Sequence, residues 1–276
     1  LAEAHYKALV IWQPDAPFSV GADLQSMMPA FMSGNWAAID GMVHAFQNTS
    51  MRLRHSAVPV VAAVQGYAFG GGCEFVLPAD RVVAGLESYI GLVEVGVGLL
   101  PAGGGCKEFA RRAAQESKGD LLAAVKDYFM TMAMAKVAAS AFDAQDLGYL
   151  KTSDKVIFNA HELLYVAKSE ALALAEAGYR APLPEKGFAV AGRAGAASIK
   201  AQLLNMREGQ FITAHDFTIA SLIADVVTGG DVETGTLVDA EWMLNLEREA
   251  FMTLLKNPLT QARIAGMLTT GKPLRN

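Results

Sequence analysis

Three short stretches of this chain hold residue types that can do chemistry together. They are Phe18-Ser19-Val20-Gly21-Ala22-Asp23, then Gly70-Gly71-Gly72-Cys73-Glu74, and a second isolated glutamate, Glu94, twenty residues beyond the first. A backbone N–H in a glycine turn approaches a ligand with no Cβ in the way. Such donors, aimed at a carbonyl oxygen, stabilise the charge that develops there, usually the largest single catalytic contribution. A helix N-terminus behind the triplet adds partial positive charge. Gly21-Ala22 offers a second donor from a different loop, and two carboxylates beside such a pocket can take and return protons. A carbonyl compound such as a thioester needs this set when C2 gains or loses a proton and its oxygen becomes enolate-like.

Each piece alone has a plainer explanation. A glycine triplet is more often a turn or a tight helix–strand contact. Glu74 is flanked by Gly72, Cys73, Phe75, Val76 and Leu77, and Glu94 lies in the otherwise uncharged run Ile90 to Val97. Charged residues are seldom buried without a partner, and either glutamate alone reads as a satisfied or surface carboxylate. Two carboxylates in apolar settings beside glycine turns point instead to acid–base tuning. They cannot share a helix face at this spacing, so tertiary contact would have to bring them together.

Other candidates are weaker. His44 and His55 read as structural, and the five histidines show no paired metal spacing and no HExxH, so no metal site is expected. Pro101-Ala102-Gly103-Gly104-Gly105 could cradle a phosphate, with a strand-to-helix corner as the simpler reading. Gly192-Arg193-Ala194-Gly195 lacks the GxGxxG spacing and a clear preceding strand, which disfavours a nicotinamide site. Met27, Met28 and Met32 fit an adaptable acyl pocket or a methionine-rich core.

The elements that must position these residues alternate strand and helix in the first half. Ala8 to Trp12 and Val58 to Val64 are short apolar runs that predict buried strands. Asp23 is an N-cap for a helix through Met28, and Asn35 to Arg54 has helical periodicity. Gly66 and Gly70 to Gly72 predict a tight turn into a helix, with further short strands over Ala79 to Ala84 and Tyr89 to Val93. From about Arg111 the pattern turns helical: Asp120 to Met134, His161 to Ala177, Ala196 to Arg207, Ala214 to Val227 and Val238 to Leu255. The expectation is α/β, with a catalytic core over 1–150 and a helical region over 151–276.

Composition narrows the function classes. The chain has 276 residues, 52% hydrophobic and 18% charged, so a sizeable core can be buried. A net charge of −5 with no basic run argues against nucleic acid. Apolar runs are too short to span a bilayer, so no membrane partner is expected. The two cysteines, Cys73 and Cys106, lack CxxC spacing and fit a reducing compartment.

The residues now described resemble the enoyl-CoA hydratase/isomerase (crotonase) family over about Ala8 to Leu150. Phe18 to Leu24 resembles its first oxyanion-hole motif, and Pro59 to Glu74 its second, almost position by position. Glu94 with Gly98-Leu99-Leu100-Pro101-Ala102-Gly103-Gly104 resembles its second acid segment, and Ser140-Ala141 with Ala144 and Gly148 its closing helix. The resemblance implies a ββα-spiral core with the N–H groups of Ala22 and Gly71 as the oxyanion hole. Gly21, Asp23, Gly70 and Gly72 would line the substrate, Glu74 would activate a water, and Glu94 would deliver a proton to C2. Keeping both carboxylates favours hydration of a 2-enoyl-CoA in fatty-acid β-oxidation. A Δ3-Δ2 enoyl-CoA isomerase and a non-catalytic acyl-CoA-binding module are the alternatives. Coenzyme A enters as part of the substrate, with no separate cofactor.

Three departures accompany the resemblance. The family's first strands are missing, Lys118 to Ala135 is long, and the tail beyond Gly178 resembles the end of bifunctional proteins with a 3-hydroxyacyl-CoA dehydrogenase part. The implied partner is therefore a homo-oligomer or a covalent fusion with a dehydrogenase domain, and the implied location is the bacterial cytoplasm or an organelle matrix.

Overall fold

A computed structural model describes residues 2–276. The chain forms two compact units, each assembled from three separate segments. The first takes the segments through Ala22, Asn48–Leu92 and Val137–Pro184; the second takes Asp23–Gln47, Val93–Lys136 and Glu185–Asn276. The expected single boundary near 150 is thus replaced by an interleaved division, for a reason visible in the strands.

The first unit is built on a parallel sheet of four strands in the order β1 (Leu9–Trp12), β2 (Val60–Phe69), β3 (Arg81–Gly91) and β4 (Lys155–Ile157). Strand β4 pairs with β3 through Val83↔Lys155 to Gly85↔Ile157. The helix Leu163–Glu176 then lays Leu163, Ala167 and Ala171 on Val61, Ala63 and Val83. Residues 151–184 therefore complete the sheet layer and do not open a helical region. Strand β2 is buried on both faces from Val60 to Val64, which is why it reads as an unbroken apolar run. Asp80 and Asp154 close the strand ends: Val60 N–H donates to Asp80 Oδ2 at 2.8 Å, and Val82 N–H to Asp154 Oδ1 at 2.8 Å.

Two sequence expectations need correction here. Gly66 is not in a turn but inside β2, at φ +63°, where the pairing with β3 shifts between Val64 and Gly66. The two short strands expected over Ala79 to Ala84 and Tyr89 to Val93 are one strand, β3, interrupted only by that shift. An irregular ladder leaves a polar-looking gap in the pattern without ending the strand.

The second unit is mainly helical: Leu24–Met32, Gly105–Glu116, Leu121–Ala133, Gly192–Glu208, Ala214–Val227, Ala240–Leu255 and Pro258–Thr270, with a small antiparallel ladder of Phe188–Ala189 against Leu237–Val238. Side-chain caps set the helix starts. Asp120 accepts from Ala123 N–H, Asp239 from Trp242 N–H and Asn257 from Leu259 N–H, and Thr213 with Asp216 forms a capping box. Among the described residues no helix is long and apolar enough to cross a membrane.

A buried charge network holds the Gly105–Glu116 helix. Glu108 Oε1 accepts from Arg111 Nη2 at 2.6 Å and from Arg112 Nε at 3.0 Å, with Lys107 Nζ 3.5 Å from Oε2. Burial alone would raise the Glu108 carboxyl, but Lys107, Arg112 and Arg111 outweigh it and hold the group well below its ordinary range. Removing one member of such a set leaves buried charges uncompensated. Glu108→Gln should therefore cost about 3–5 kcal/mol in urea unfolding at neutral pH. A carboxylate depressed on folding stabilises above its unfolded-state value, about 4.3, and that contribution falls as the pH drops through the folded value. The gap between wild type and variant should narrow on acidification; a gap that widened would contradict the network's role.

Candidate active site

The two glycine loops meet within the first unit, and the backbone of β2 is what joins them. Phe18 N–H donates to Gln65 O at 3.0 Å, Ser19 N–H to Tyr67 O at 2.9 Å, and Phe69 N–H back to Ser19 O at 3.0 Å. The segment before Gly21 is thus tied alongside the last turns of β2, in parallel register at Ser19↔Ala68. A Cβ on Gly72 would land on the Ser19 side chain, 2.6 Å from Oγ, and one on Gly21 would lie 3.3 Å from Phe69 O. Both glycines are needed for close approach of one loop to the other.

Backbone conformation fixes the turn between β2 and its helix. Gly70 has φ 52° and ψ −123°, a region that side chains rarely enter, and its N–H donates to Gly91 O at 2.9 Å. The helix Gly71–Val76 starts immediately after it. Gly21 N–H is also taken, by Ser19 Oγ at 3.2 Å. Among the described residues no hydrogen bond engages the N–H of Ala22 or of Gly71. Gly71 is half-buried and Ala22 exposed. The loop pair therefore leaves the amides of Ala22 and Gly71 as donors and commits their neighbours to structure.

Glu74 sits in the first turn of that helix and is buried, its N–H donating to Gly70 O at 3.0 Å. Cys73 and Val76 beside it are buried too. Glu94 belongs to the second unit, where it opens a single 3-10 turn, Glu94–Val97, closed by Gly98 at φ 83°. Its carbonyl accepts from Leu99 N–H at 3.1 Å. Asp23 also lies in the second unit and uses its carboxylate to cap the helix Leu24–Met32, accepting from Gln25 N–H at 3.0 Å.

A profile of the enoyl-CoA hydratase/isomerase family matches residues 2–146. The chain belongs to that family. A Bacillus subtilis (strain 168) protein named probable 3-hydroxyacyl-CoA dehydrogenase is 43% identical over 274 residues, which is 99% of this chain and 34% of the relative. A Rickettsia felis protein named putative fatty acid oxidation complex trifunctional enzyme is 29% identical over 267 residues, 97% of this chain and again 34% of the relative. The chain spans about a third of the length of these relatives. Among solved structures, an enoyl-CoA hydratase from Rhodobacter sphaeroides 2.4.1 superposes with a TM-score of 0.65 at 16% identity, over 98% of this chain and 79% of that one. One from Bacillus halodurans does so at 0.60 and 17%, over 95% and 82%. At that identity the likeness is one of fold.

In this hydratase/isomerase family member the other expected features settle differently. Gly104, at φ 116°, caps the Gly105–Glu116 helix, but the end of that helix holds no free anion cradle. Glu247 Oε2 accepts from Gly104 N–H at 2.9 Å and Oε1 from Lys107 N–H at 2.6 Å. The second glycine triplet is therefore a packing corner sealed by a carboxylate of the same unit. Met27 and Met28 line a small apolar recess with Leu24, Phe31, Ile39, Leu99, Leu255 and Ile264, whereas Met32 is 75% exposed. Among the described residues no group of three or more His, Cys, Asp or Glu is disposed to hold a metal ion.

Sequence reasoning missed Ser19 and Gly91. Ser19 supplies the backbone ties, the Oγ for Gly21 and the wall against Gly72, and Gly91 accepts from Gly70. Neither position has a distinctive residue type, and only the pairing of the strands shows what each touches. The contact with Ser19 yields a test by thermal unfolding. Gly72→Ala should destabilise by about 1–3 kcal/mol, because Cα and Cβ of Ser19 cannot rotate away. Gly41→Ala, inside the helix Trp36–Arg54 with nothing within 4 Å of the new methyl, should stabilise by about 0.5–1 kcal/mol. A neutral Gly72→Ala would show that the loops are not in contact.

Proposed function

We propose that this chain adds water across the C2=C3 bond of a 2-enoyl-CoA to give the 3-hydroxyacyl-CoA. Family membership supports chemistry on CoA thioesters. The observation that carries the finer reading is the loop pair: two amides without internal partners, Ala22 and Gly71, offered from loops that β2 locks together, with buried Glu74 one helical turn on.

In this reading the thioester oxygen lies between those two amides. Glu74 takes a proton from water as the oxygen of that water bonds to C3. The π electrons move toward the thioester, and the oxygen carries the developing charge between the two N–H donors. Glu94 gives a proton to C2, the C=O bond re-forms, and the product holds one added water. Neither Gly21 nor Gly70 donates to the substrate, since both N–H groups serve the loops. Asp23 acts through the helix that it caps. The name of the Bacillus subtilis relative supports a setting in which a linked activity consumes the 3-hydroxyacyl-CoA, and this chain would then be the hydratase part of a longer fatty-acid-oxidation protein.

Glu74→Gln and Glu94→Gln should each lower kcat for a 2-enoyl-CoA by roughly 10²–10⁴-fold, the range for general acid–base groups, with unfolding midpoints little changed. The assay is loss of the conjugated thioester absorbance together with chromatographic identification of the product. Near-normal hydration by either variant would end the two-carboxylate mechanism. Conversion of a 3-enoyl-CoA that survives in Glu74→Gln while hydration is lost would favour the isomerase instead.

A further inference from the structure

We propose that Thr260, oriented by His215, is a positioning residue that holds the turn bearing Glu94 in its working geometry. This rests on the reading of Glu94 as the proton donor to C2. A lone 3-10 turn has poor hydrogen-bond geometry and little stability of its own, so its shape must come from what grips it. In the second unit the grip comes from the helix Pro258–Thr270. Thr260 Oγ1 donates to Gly98 O at 2.8 Å, and Arg263 Nη1 donates to Val95 O at 3.2 Å. The contact is close: a Cβ on Gly98 would lie 2.9 Å from Thr260 Cα.

Two consecutive residues of another helix hold those two arms. His215 Nε2 is 2.9 Å from Thr260 Oγ1, and Asp216 Oδ1 is 2.7 Å from Arg263 Nη2. The hydroxyl proton of Thr260 is committed to Gly98 O, so the bond to His215 must run the other way, from Nε2–H to Oγ1. That fixes the imidazole as the Nε2–H tautomer and leaves Nδ1 bare. Nδ1 is buried and has no hydrogen-bond partner among the described residues. Burial and the nearby Arg263 both lower the His215 pKa, against a smaller opposing effect of Asp216. His215 itself is 1% exposed and Thr260 fully buried. A threonine near a helix start usually serves its own helix, whereas here the hydroxyl leaves it for a carbonyl 162 residues earlier.

The test compares steady-state kinetics of the full chain with Thr260→Val, Thr260→Ser, His215→Leu and His215→Gln, each scaled to folded protein by thermal unfolding. A misplaced catalytic group costs on the order of 10²-fold, so Thr260→Val and His215→Leu should lose about 10–100-fold in kcat with KM little changed. Thr260→Ser and His215→Gln keep a hydroxyl and a donor at the needed places and should recover most of the rate. Placed on top of Glu94→Gln, Thr260→Val should cost almost nothing more, because the group it positions is already gone. A full additional loss in that background, or a lowered melting point with unchanged kcat, would show that the brace only stabilises the fold and would overturn the proposal. If Glu94→Gln alone hydrates normally, the role of Glu94 fails first, and the brace fails with it for want of a group to position.

Discussion

The site depends on one backbone event, the pairing of Phe18-Ser19 with the final residues of β2. That pairing brings a loop from early in the chain against a turn some fifty residues later, with the Ser19 side chain set against Gly72. Its precision comes from main-chain hydrogen bonds, which have fixed spacing and few conformers. The glycines follow from it. With Ser19 seated at position 72 and Phe69 O near Gly21, neither position tolerates a Cβ without movement. Gly70 then turns the chain through a conformation that other residues avoid, so the helix carrying Glu74 begins where the strand stops.

The second unit solves a different problem, how to bury charge. Glu108 faces three cations, and Glu247 accepts from the N-terminal amides of the same helix. One face of the Gly105–Glu116 helix is thus satisfied by side chains and its end by a carboxylate. Such arrangements stabilise little compared with apolar packing, but they penalise any partial rearrangement heavily. The turn at Glu94–Val97, earlier in the same segment of chain, is gripped instead by the helix Pro258–Thr270.

Much of this was legible in the sequence because the informative residues announce themselves locally. Apolar runs marked β1 and β2, Asp23 marked a cap, and the glycines with Glu74 marked the turn into a helix. The helix over Ala214–Val227 was read to the residue, and the structure places a capping box of Thr213 and Asp216 at its start. What was not legible depended on partners far away. The shift near Gly66 made β3 look like two strands. The triplet before Cys106 read as a strand-to-helix corner, but nothing local reveals the Glu247 carboxylate that seals it. Leu163, Ala167 and Ala171 read as part of a helical tail, although they cover the sheet. The resemblance alone named Ala22 and Gly71 as donors apart from Gly21 and Gly70, and the bonds that occupy the N–H groups of Gly21 and Gly70 were not legible.

The interleaving of segments bears on how such a chain reaches its final state during synthesis. The sheet of the first unit lacks its fourth strand until Lys155–Ile157 has left the ribosome, and lacks its covering helix until Glu176. The second unit waits longer still, because the grip on Gly98 comes from Thr260. The last segment of the first unit ends only at Pro184 and that of the second only at Asn276, so early segments must wait with apolar strands exposed. Contacts of such long sequence separation fold slowly and leave the nascent chain prone to aggregation. The order of the segments, independently of how stable the finished molecule is, thus sets how long those strands stay uncovered.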